Sequence, residues 1–361
     1  MRVLINGRFL DKPVTGVERF GREVTRALGM LKAAGDARLD GLDLLIVRPQ
    51  SNSPALTPLI PELRVGESGG QLWEQWHLPR SAQGRDVILN LCNMAPFASR
   101  RNITCVHDAH PWLIPQNFSW QFRKWYDLVI PRIIATSARW TTVSRFSADK
   151  LVELGIANRA PDAITYNAAD NFDSDVDTGT KRLLPEGVRS PYVLCLGSRS
   201  ANKNIGMIAG IAPHLAERGI CVVVAGGGNA KVFGGGVRGV EDNVVNLGFV
   251  SDETLAALYC QASAFLFPSL YEGFGVPAIE AMKFGCPVIA SDSSALPEVL
   301  GDAAILLPPH APDRWLDSIL TLHDDPVRRA KLVGKGHERV KQYSWKGSAL
   351  AFAALAQDMM R

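Results

Sequence analysis

The chain has 361 residues, of which 47% are hydrophobic and 21% are charged, so it has the composition of a folded protein and the length for two domains. The formal net charge of +3 is too small to indicate a nucleic-acid partner, and no apolar run reaches the roughly 18 residues that a membrane-spanning helix needs. The first residues, MRVLINGRF, lack the pattern of a signal peptide, and the six scattered cysteines favour reduced thiols. These features predict a cytoplasmic protein.

Short β-branched runs alternate with longer helical patterns along the chain. In the first half, strands are predicted at RVLIN, LDLLIV, DVILNL, ITCVHD, WTTVS and AITYN, and helices at 17–31, 118–134 and 147–154. In the second half, strands are predicted at YVLCLG, ICVVVAG, VVNLGF, AFLFPS, PVIAS and AILLPP, and helices at 204–218, 252–262, 278–284 and 313–322. Continuous apolar strands separated by helices indicate parallel sheets with both faces covered.

Two such series predict an α/β protein with two Rossmann-like, doubly wound domains, at 1–172 and 183–344. The stretch between them is rich in Asp, Ser, Gly and Thr, which is typical of a linker, and the Ala-rich segment 345–361 predicts a final helix. Two doubly wound domains that face each other form an interdomain cleft at the carboxyl ends of their strands. Ligand-binding residues are therefore expected at the strand ends.

The segment that follows AFLFPS, LYEGFGVPAIEAM, carries the strongest signal among these strand ends. Pro277 fits the start of a helix, whose free N–H groups attract phosphate, and Gly275 lets the backbone approach a ligand closely. Glu272 then lies in the loop and Glu280 in the first helical turn. Each ionised carboxylate can accept two hydrogen bonds from the diol of a ribose or a pyranose. The alternative is that both glutamates only favour the dipole of the helix start.

Three further strand ends carry weaker signals. Arg199 and Lys203 follow YVLCLG and could neutralise a diphosphate, although ordinary solvated basic residues also fit. His107 lies at the end of ITCVHD and could donate to a sugar hydroxyl, although a structural His–Asp pair explains it equally well. Gly16 precedes a helix in TGVERF and could form a backbone anion site, but its loop lacks the G-x-G-x-x-G of a dinucleotide fold.

Along nearly its whole length, the chain resembles the retaining glycosyltransferases of family four. The resemblance rests on the order of five segments, which are E-x7-E within EGFGVPAIEAM, LGSRSANKN, VHD, TTVSRFS and TGVERF. The resemblance implies the GT-B fold of two Rossmann-like domains, with the donor bound mainly by the C-terminal one. It also implies that the helix at 345–361 packs back on the first domain. The sequence departs from the family at Ser198, where many relatives have arginine, and in the first loop, where many have two glycines.

The resemblance implies roles for the candidate residues. Glu272 would bind hydroxyls of the donor sugar, Glu280 the ribose, and His107 the sugar near its reacting carbon. The diphosphate would be held by Arg199 and Lys203, and approached by Gly16 from the other domain. The sugar and the phosphates would also contact the backbone of Phe274, Gly275 and Val276. The base would lie beside Phe249 and Val250.

The implied reaction moves a hexose or deoxyhexose, with a preference for mannose- or rhamnose-like sugars, from a nucleoside-diphosphate sugar donor to a glycan or lipid-linked acceptor. It belongs to exopolysaccharide or lipopolysaccharide assembly, and it retains the anomeric configuration by front-face attack with the departing phosphate as base. No strand end carries a D-x-D-like pair, so neither a metal nor a separate cofactor is expected. The donor base (UDP, GDP or dTDP), the linkage and the oligomeric state stay open.

Aromatic and basic residues concentrate in QLWEQWHLPR and NFSWQFRKWYDLVIPR of the first domain. They could form a surface for an anionic membrane or a lipid-linked acceptor, or the aromatic rings could pack in the core while the basic residues are solvated. Three other activities compete with sugar transfer: a sugar-nucleotide epimerase of the same architecture, a non-catalytic sugar-nucleotide-binding module and, least favoured, a glycosidase. An assay of the products distinguishes the first two from a transferase. A transferase moves the sugar to an acceptor, an epimerase isomerises the donor, and a binding module leaves the donor intact.

Overall fold

The computed structural model describes residues 1–67, 69–170, 184–197, 200–227 and 243–361. The chain divides into two compact units, one formed by Met1–Asn167 with Ser344–Arg361 and the other by Ala168–Tyr343. We call them unit 1 and unit 2. The change from unit 1 to unit 2 lies at Asn167, slightly before the predicted end of the first domain at 172.

Unit 1 is built on one parallel sheet. Its strands are β1 (Arg2–Asn6), β2 (Asp43–Arg48), β3 (Glu62–Arg64), β4 (Val87–Asn90), β5 (Asn102–Cys105), β6 (Arg139–Thr142) and β7 (Ala163–Ile164). The seven strands lie in the order β3-β2-β1-β4-β5-β6-β7, and every neighbouring pair is parallel. The central strands are buried along their length, as continuous apolar runs predict. The short edge strand β3 was not predicted, because ELR carries no apolar run.

The helices of unit 1 that precede residue 167 are α1 (Gly16–Ala33), α2 (Gly70–Ser81), α3 (His110–Leu113), α4 (Trp120–Thr136) and α5 (Arg145–Glu153). Serine side chains cap two of them: Ser119 Oγ accepts from the N–H of Phe122 at 3.3 Å, and Ser144 Oγ accepts from the N–H of Ser147 at 3.0 Å. Helix α2 was missed from the sequence, because its apolar residues lie on more than one face.

Unit 2 repeats the doubly wound plan. Its strands are β8 (Tyr192–Leu196), β9 (Cys221–Ala225), β10 (Val244–Gly248), β11 (Ala264–Phe267), β12 (Val288–Ser291) and β13 (Ile305–Leu307). They form a six-stranded parallel sheet in the order β10-β9-β8-β11-β12-β13. The described helices are α6 (Ile205–Glu217), α7 (Asp252–Gln261), α8 (Val276–Lys283), α9 (Leu296–Leu300), α10 (Pro312–Asp324) and α11 (Pro326–Val340). Apolar residues of α6 and α10 pack on one face of this sheet in a single buried cluster.

The last helix, α12 (Trp345–Asp358), belongs to unit 1. The Phe20 ring of α1 meets Trp345 and Phe352 edge-on, with ring centroids 5.8 and 6.2 Å apart. Ser348 Oγ also donates to the Tyr166 carbonyl at 2.6 Å, just beyond β7. The chain therefore returns to its first unit after unit 2 is complete.

Both sheets confirm the predicted α/β class with two Rossmann-like, doubly wound domains. Strand order reverses between β1 and β4 in unit 1, and between β8 and β11 in unit 2. Ligands of such sheets bind outside the carboxyl ends of the two strands at the reversal. Among the described residues, no helix combines the length and apolarity needed to cross a bilayer, and no group of three His, Cys, Asp or Glu side chains could hold a metal ion.

Candidate functional site

An ion pair lies at the strand-order reversal of unit 2. Lys203 follows β8, Glu272 follows β11, and Lys203 Nζ donates to Glu272 Oε1 at 2.6 Å. The Lys203 and Glu272 side chains are only 23% and 14% exposed, and Lys203 Nζ lies 5.1 Å from the centroid of the Phe267 ring. The structure thus joins two predicted site residues at the position where a doubly wound sheet binds its ligand.

Main-chain hydrogen bonds fix the two loops that carry this pair. The N–H of Leu270 donates to the Asn202 carbonyl at 2.7 Å, and the buried Asn202 side chain donates to the Tyr271 carbonyl at 3.0 Å. On the other side, the N–H of Glu272 donates to Ser294 Oγ at 2.9 Å. The positions of the lysine and the glutamate are therefore set before any ligand binds, which lowers the entropic cost of binding.

Helix α8 starts beside the pair and requires a glycine before it. Gly275 has a φ of 100°, and a Cβ there would lie 2.6 Å from Leu296 Cδ2, so a larger residue would be strained and would clash. The helix begins at Val276, which makes Pro277 its second residue and places Glu280 in the second turn. The prediction that Glu280 lies in the first turn was therefore wrong, because the helix begins one residue before Pro277.

The side chains of Phe274 and Glu280 point into unit 2. Phe274 is 3% exposed and its ring meets Tyr343 edge-on at 5.2 Å, so only its backbone can face a ligand. Glu280 is 5% exposed. Its proposed contact with the ribose stays a prediction.

The predicted base contacts lie directly after β10. Phe249 is 90% exposed. Its ring lies close to Gly227, since a Cβ added to that glycine would be 3.0 Å from Phe249 Cζ. Val250 next to it is half-buried. An exposed aromatic ring at a strand end can stack on a base. Arg199, the other predicted diphosphate ligand, lies outside the described residues.

In unit 1, His107 is held by its own fold. It is 5% exposed, its ring Nε2 lies 2.8 Å from the Leu91 carbonyl, and its N–H donates to Asn93 Oδ1 at 2.8 Å. Burial lowers the pKa of His107, but the neighbouring Cys105, the Leu91 carbonyl and Asp108 outweigh it and raise the pKa overall. These bonds are with Leu91 and Asn93 and not with the Asp108 of the predicted His–Asp pair, and the contact of His107 with a donor sugar stays a prediction.

Gly16 is the first residue of α1 rather than the residue before it. It is exposed, and a Cβ there would meet nothing within 4 Å, so the fold itself does not require glycine. The first turn already contains a carboxylate, Glu18, which accepts from the Thr15 hydroxyl and lies 3.7 Å from Lys12 Nζ. This internal negative charge opposes the binding of a second anion at the helix start.

A buried polar network at the reversal of unit 1 was missed from the sequence. Asn6 ends β1 and Asn90 ends β4, and the Asn6 amide donates to Glu74 Oε1 at 2.6 Å and to Asn90 Oδ1 at 3.0 Å. Glu74 Oε2 also lies 3.2 Å from an Arg8 guanidinium nitrogen, and burial raises the pKa of Glu74. The available signal was the asparagine that ends both RVLIN and DVILN.

Solved structures show which known fold the two units share. Sucrose-phosphate synthase from Thermosynechococcus elongatus superposes with a TM-score of 0.71 at 19% identity, covering 99% of this chain and 98% of that one. Anabaena HepE, solved in complex with UDP and glucose, gives a TM-score of 0.67 at 19% identity, covering 99% of this chain and 100% of that one. These likenesses confirm the predicted GT-B fold.

The sequence comparisons relate unit 2 to a protein family. Residues 190–325, within unit 2, match the model of the glycosyl transferases group 1. O-antigen chain mannosyltransferase B from Escherichia coli is 26% identical over 96% of this chain and 97% of its own length. Residues 190–325 are thus similar to the glycosyl transferases group 1, which agrees with the predicted resemblance at that level, and the assignment to family four in particular stays a prediction.

Proposed function

We propose that this chain is a glycosyltransferase that moves a sugar from a nucleoside-diphosphate sugar to a hydroxyl of a glycan or lipid-linked glycan, with retention of the anomeric configuration, in the assembly of an O-antigen-like polysaccharide. The observation that carries the proposal is the Lys203–Glu272 pair at the strand-order reversal of the unit that matches the family model. An ammonium group can bind phosphate oxygens, and a carboxylate can accept from sugar hydroxyls. The pair therefore provides one partner for each half of a sugar diphosphate.

Donor binding replaces the ion pair with ligand contacts. Lys203 turns to the diphosphate, and Glu272 accepts from hydroxyls of the sugar. Negative charge develops on the diphosphate as the bond to the sugar breaks, and Lys203 together with the N–H of Val276 stabilises it. Removal of one well-placed donor of this kind typically costs about 3–4 kcal/mol of transition-state stabilisation.

Retention follows from front-face attack, with the departing phosphate as base. Glu272 is bonded to Lys203 and held by Ser294, so it is placed for binding rather than for attack on the sugar. We infer that no metal takes part. The test is the rate of transfer in excess chelator, with the anomeric configuration of the product read by NMR; loss of activity restored by a divalent cation contradicts the inference.

The proposed donor sugar is mannose-like, because the full-length relative is named as a mannosyltransferase. A deoxyhexose such as rhamnose is the second choice. Thermal unfolding in the presence of UDP, GDP and dTDP identifies the base, because a ligand at 100 times its dissociation constant adds about 2.7 kcal/mol of stability.

Peripheral contact with an anionic membrane is proposed from α4. Trp120, Lys124 and Leu128 are spaced four residues apart, so they form one stripe on this helix, and the side chains of Trp120 and Leu128 are each 68% exposed. Two large apolar side chains with a lysine between them fit the interface of a bilayer that contains acidic lipids.

Substitution of the ion pair tests the proposed transfer directly. Lys203→Ala and Glu272→Ala should each lower the rate of transfer by about 100-fold or more. The matched control is Lys335→Ala, which removes an exposed lysine paired with Asp302 at 2.7 Å in the same unit and should keep wild-type transfer. Wild-type rates in both site variants would show that the site is wrong, and donor isomerisation without transfer would show an epimerase.

A further inference from the structure

Unit 1 contains a cavity of about 230 Å³ at the carboxyl ends of β4 and β5. Its wall is formed by these strand ends together with α3, the segment after α3, the start of α1 and one face of α4. The residues that carry the argument are Asn93, Asp108, Trp112, Phe118, Phe122 and Tyr126.

Three of the lining rings form a stacked series. Phe118, Phe122 and Tyr126 are spaced four residues apart, with centroids 5.1 and 4.2 Å apart and interplanar angles of 11° and 27°. Trp112 lies 6.1 Å from Tyr126, which widens the aromatic wall. All four residues are half-buried rather than enclosed in the core, so their rings present an apolar surface to the cavity.

Polar groups held by the backbone lie in the same wall. Asp108 Oδ1 accepts from the N–H of His110 at 2.9 Å, which orients the carboxylate and leaves its Oδ2 without a hydrogen bond among the described residues. Asn93, with a φ of 65°, accepts from the N–H of His107 at 2.8 Å through its Oδ1. These groups are therefore fixed before a ligand enters.

The chemistry of the wall selects a class of ligand. An aromatic surface fits the apolar face of a sugar ring, and an oriented carboxylate fits a pair of its hydroxyls. The described residues that line the cavity include no lysine or arginine, so a neutral sugar fits better than a phosphate. The volume is below the about 300–1,000 Å³ of pockets that enclose drug-sized molecules, so one ring fits and the remainder of a glycan stays outside.

We infer that this cavity binds one neutral pyranose ring of the acceptor, with the ring packed against Phe122 and Tyr126 and two of its hydroxyls bound by Asp108. This inference rests on the proposed function, since only a transferase has an acceptor. Asp108 and Phe122 then determine which acceptor terminus is used.

Binding of a simple sugar tests the inference without the reaction. Methyl α-D-mannopyranoside and methyl α-L-rhamnopyranoside are titrated into the full chain without donor, and binding is followed by saturation-transfer NMR. Asp108→Asn and Phe122→Leu should each weaken binding at least about tenfold, because each removes a ligand contact but keeps the size or apolarity of the side chain. Trp76→Leu is the matched control: this ring is 60% exposed on α2, outside the cavity, and its loss should leave binding unchanged.

Transfer measurements separate this inference from the proposed function. With the active donor, Asp108→Asn and Phe122→Leu should raise the acceptor KM about tenfold and leave the donor KM unchanged. An unchanged acceptor KM in both variants, or the lack of saturable pyranoside binding by the wild type, overturns the cavity assignment while the donor site stands. The opposite outcome is that no nucleotide sugar serves as donor, while the wild type binds the pyranoside and the two variants bind it more weakly. That outcome supports a sugar-binding cavity and overturns the proposed function instead.

Discussion

Lys203 and Glu272 are 69 residues apart in the sequence, yet their side chains meet at 2.6 Å across the two strands where the order of the unit 2 sheet reverses. Each charge is the counter-ion of the other in the absence of donor. In the proposed function, a sugar diphosphate would bring a phosphate for the lysine and hydroxyls for the glutamate, so binding would exchange one set of charge-assisted bonds for another. The pair thus keeps both groups ordered and partnered.

The first prediction concerns Glu272→Gln. The substitution removes the negative charge but keeps the size of the side chain, and it releases Lys203 for the diphosphate. We expect transfer to fall at least about 100-fold, while the dissociation constant of the free nucleoside diphosphate stays equal or decreases. Calorimetry measures this dissociation constant, with the nucleoside diphosphate that the thermal unfolding experiment identifies. Loss of nucleotide binding together with transfer would argue against separate roles for the two residues.

The second prediction compares two glycines. Gly275→Ala should destabilise unit 2 by about 1–3 kcal/mol, because φ is 100° and the new Cβ would lie 2.6 Å from Leu296 Cδ2. Gly16→Ala should leave stability equal or slightly higher, because its Cβ meets nothing within 4 Å and alanine favours a helix. A Gly16→Ala variant that is stable but loses transfer supports close ligand approach there. Wild-type transfer in that variant removes Gly16 from the site.

The third prediction concerns Phe249. Its ring is 90% exposed, so Phe249→Ala should not change stability, yet it should weaken nucleotide binding about tenfold through lost stacking, worth about 1–3 kcal/mol per base. Phe249→Tyr keeps the ring and should restore wild-type affinity. Val327→Ala, at a residue 78% exposed on α11, is the control. Equal affinity in Phe249→Ala and the wild type would remove this residue from the base contact.

The fourth prediction is a pH dependence of unit 1. Burial raises the pKa of Glu74 above its ordinary 4.5, so the folded chain holds this proton more tightly than the unfolded chain. The contribution of Glu74 to stability is full below pH 4.5 and is lost as the pH rises through the folded-state pKa. We therefore expect the free energy of unfolding of the wild type to fall, relative to Glu74→Gln, as the pH rises from 4.5.

Urea unfolding followed by tryptophan fluorescence measures this difference, because seven of the eight tryptophans lie in unit 1. Asp302→Asn is the control. Lys335 lowers the pKa of Asp302 below its ordinary 3.8. The contribution of Asp302 to the free energy of unfolding is therefore lost only at lower pH and should be constant above pH 4.5. A wild-type stability that rises relative to Glu74→Gln with increasing pH would contradict the assignment.

The fifth prediction tests the exposed stripe of α4. The wild type should pellet with vesicles that contain an acidic phospholipid and much less with purely zwitterionic vesicles. Trp120→Ser and Leu128→Ser should each reduce pelleting, and Lys124→Glu should remove the dependence on acidic lipid. Val327→Ser, on a helix of unit 2, should behave as the wild type. Pelleting that does not depend on acidic lipid removes the membrane contact.

Much of the fold could be predicted from the sequence, because buried parallel strands are continuous apolar runs with a strong local signal. The runs RVLIN and YVLCL became β1 and β8 within a residue of the prediction. Helix α2 was missed, because its apolar residues lie on more than one face, whereas α11 was missed although it has an apolar face. The start of α8 was misplaced by one residue, which moves Glu280 from the first turn to the second, because a proline fits both the first and the second position of a helix.

The candidate site was predicted only as a set of strand ends. That Lys203 would meet Glu272 follows from β8 and β11 being neighbours, which is a property of sheet order and not of either local segment. The sequence predicted that the aromatic residues at 118, 122 and 126 form a surface for a membrane or a lipid-linked acceptor, or pack in the core. The structure shows a third arrangement, half-buried rings around an open volume, which depends on how far α4 lies from the strand ends.

Helix α4 carries two stripes on opposite sides, because residues two positions apart differ by about 200° around an α-helix with 3.6 residues per turn. Phe122 and Tyr126 line the cavity, whereas Trp120 and Leu128 are exposed. If the exposed stripe lies in a membrane interface, the cavity is held about one helix diameter, about 10–12 Å, above it. That height fits an acceptor sugar only a short distance from its lipid anchor, so chain growth close to the bilayer is favoured over growth on a long glycan.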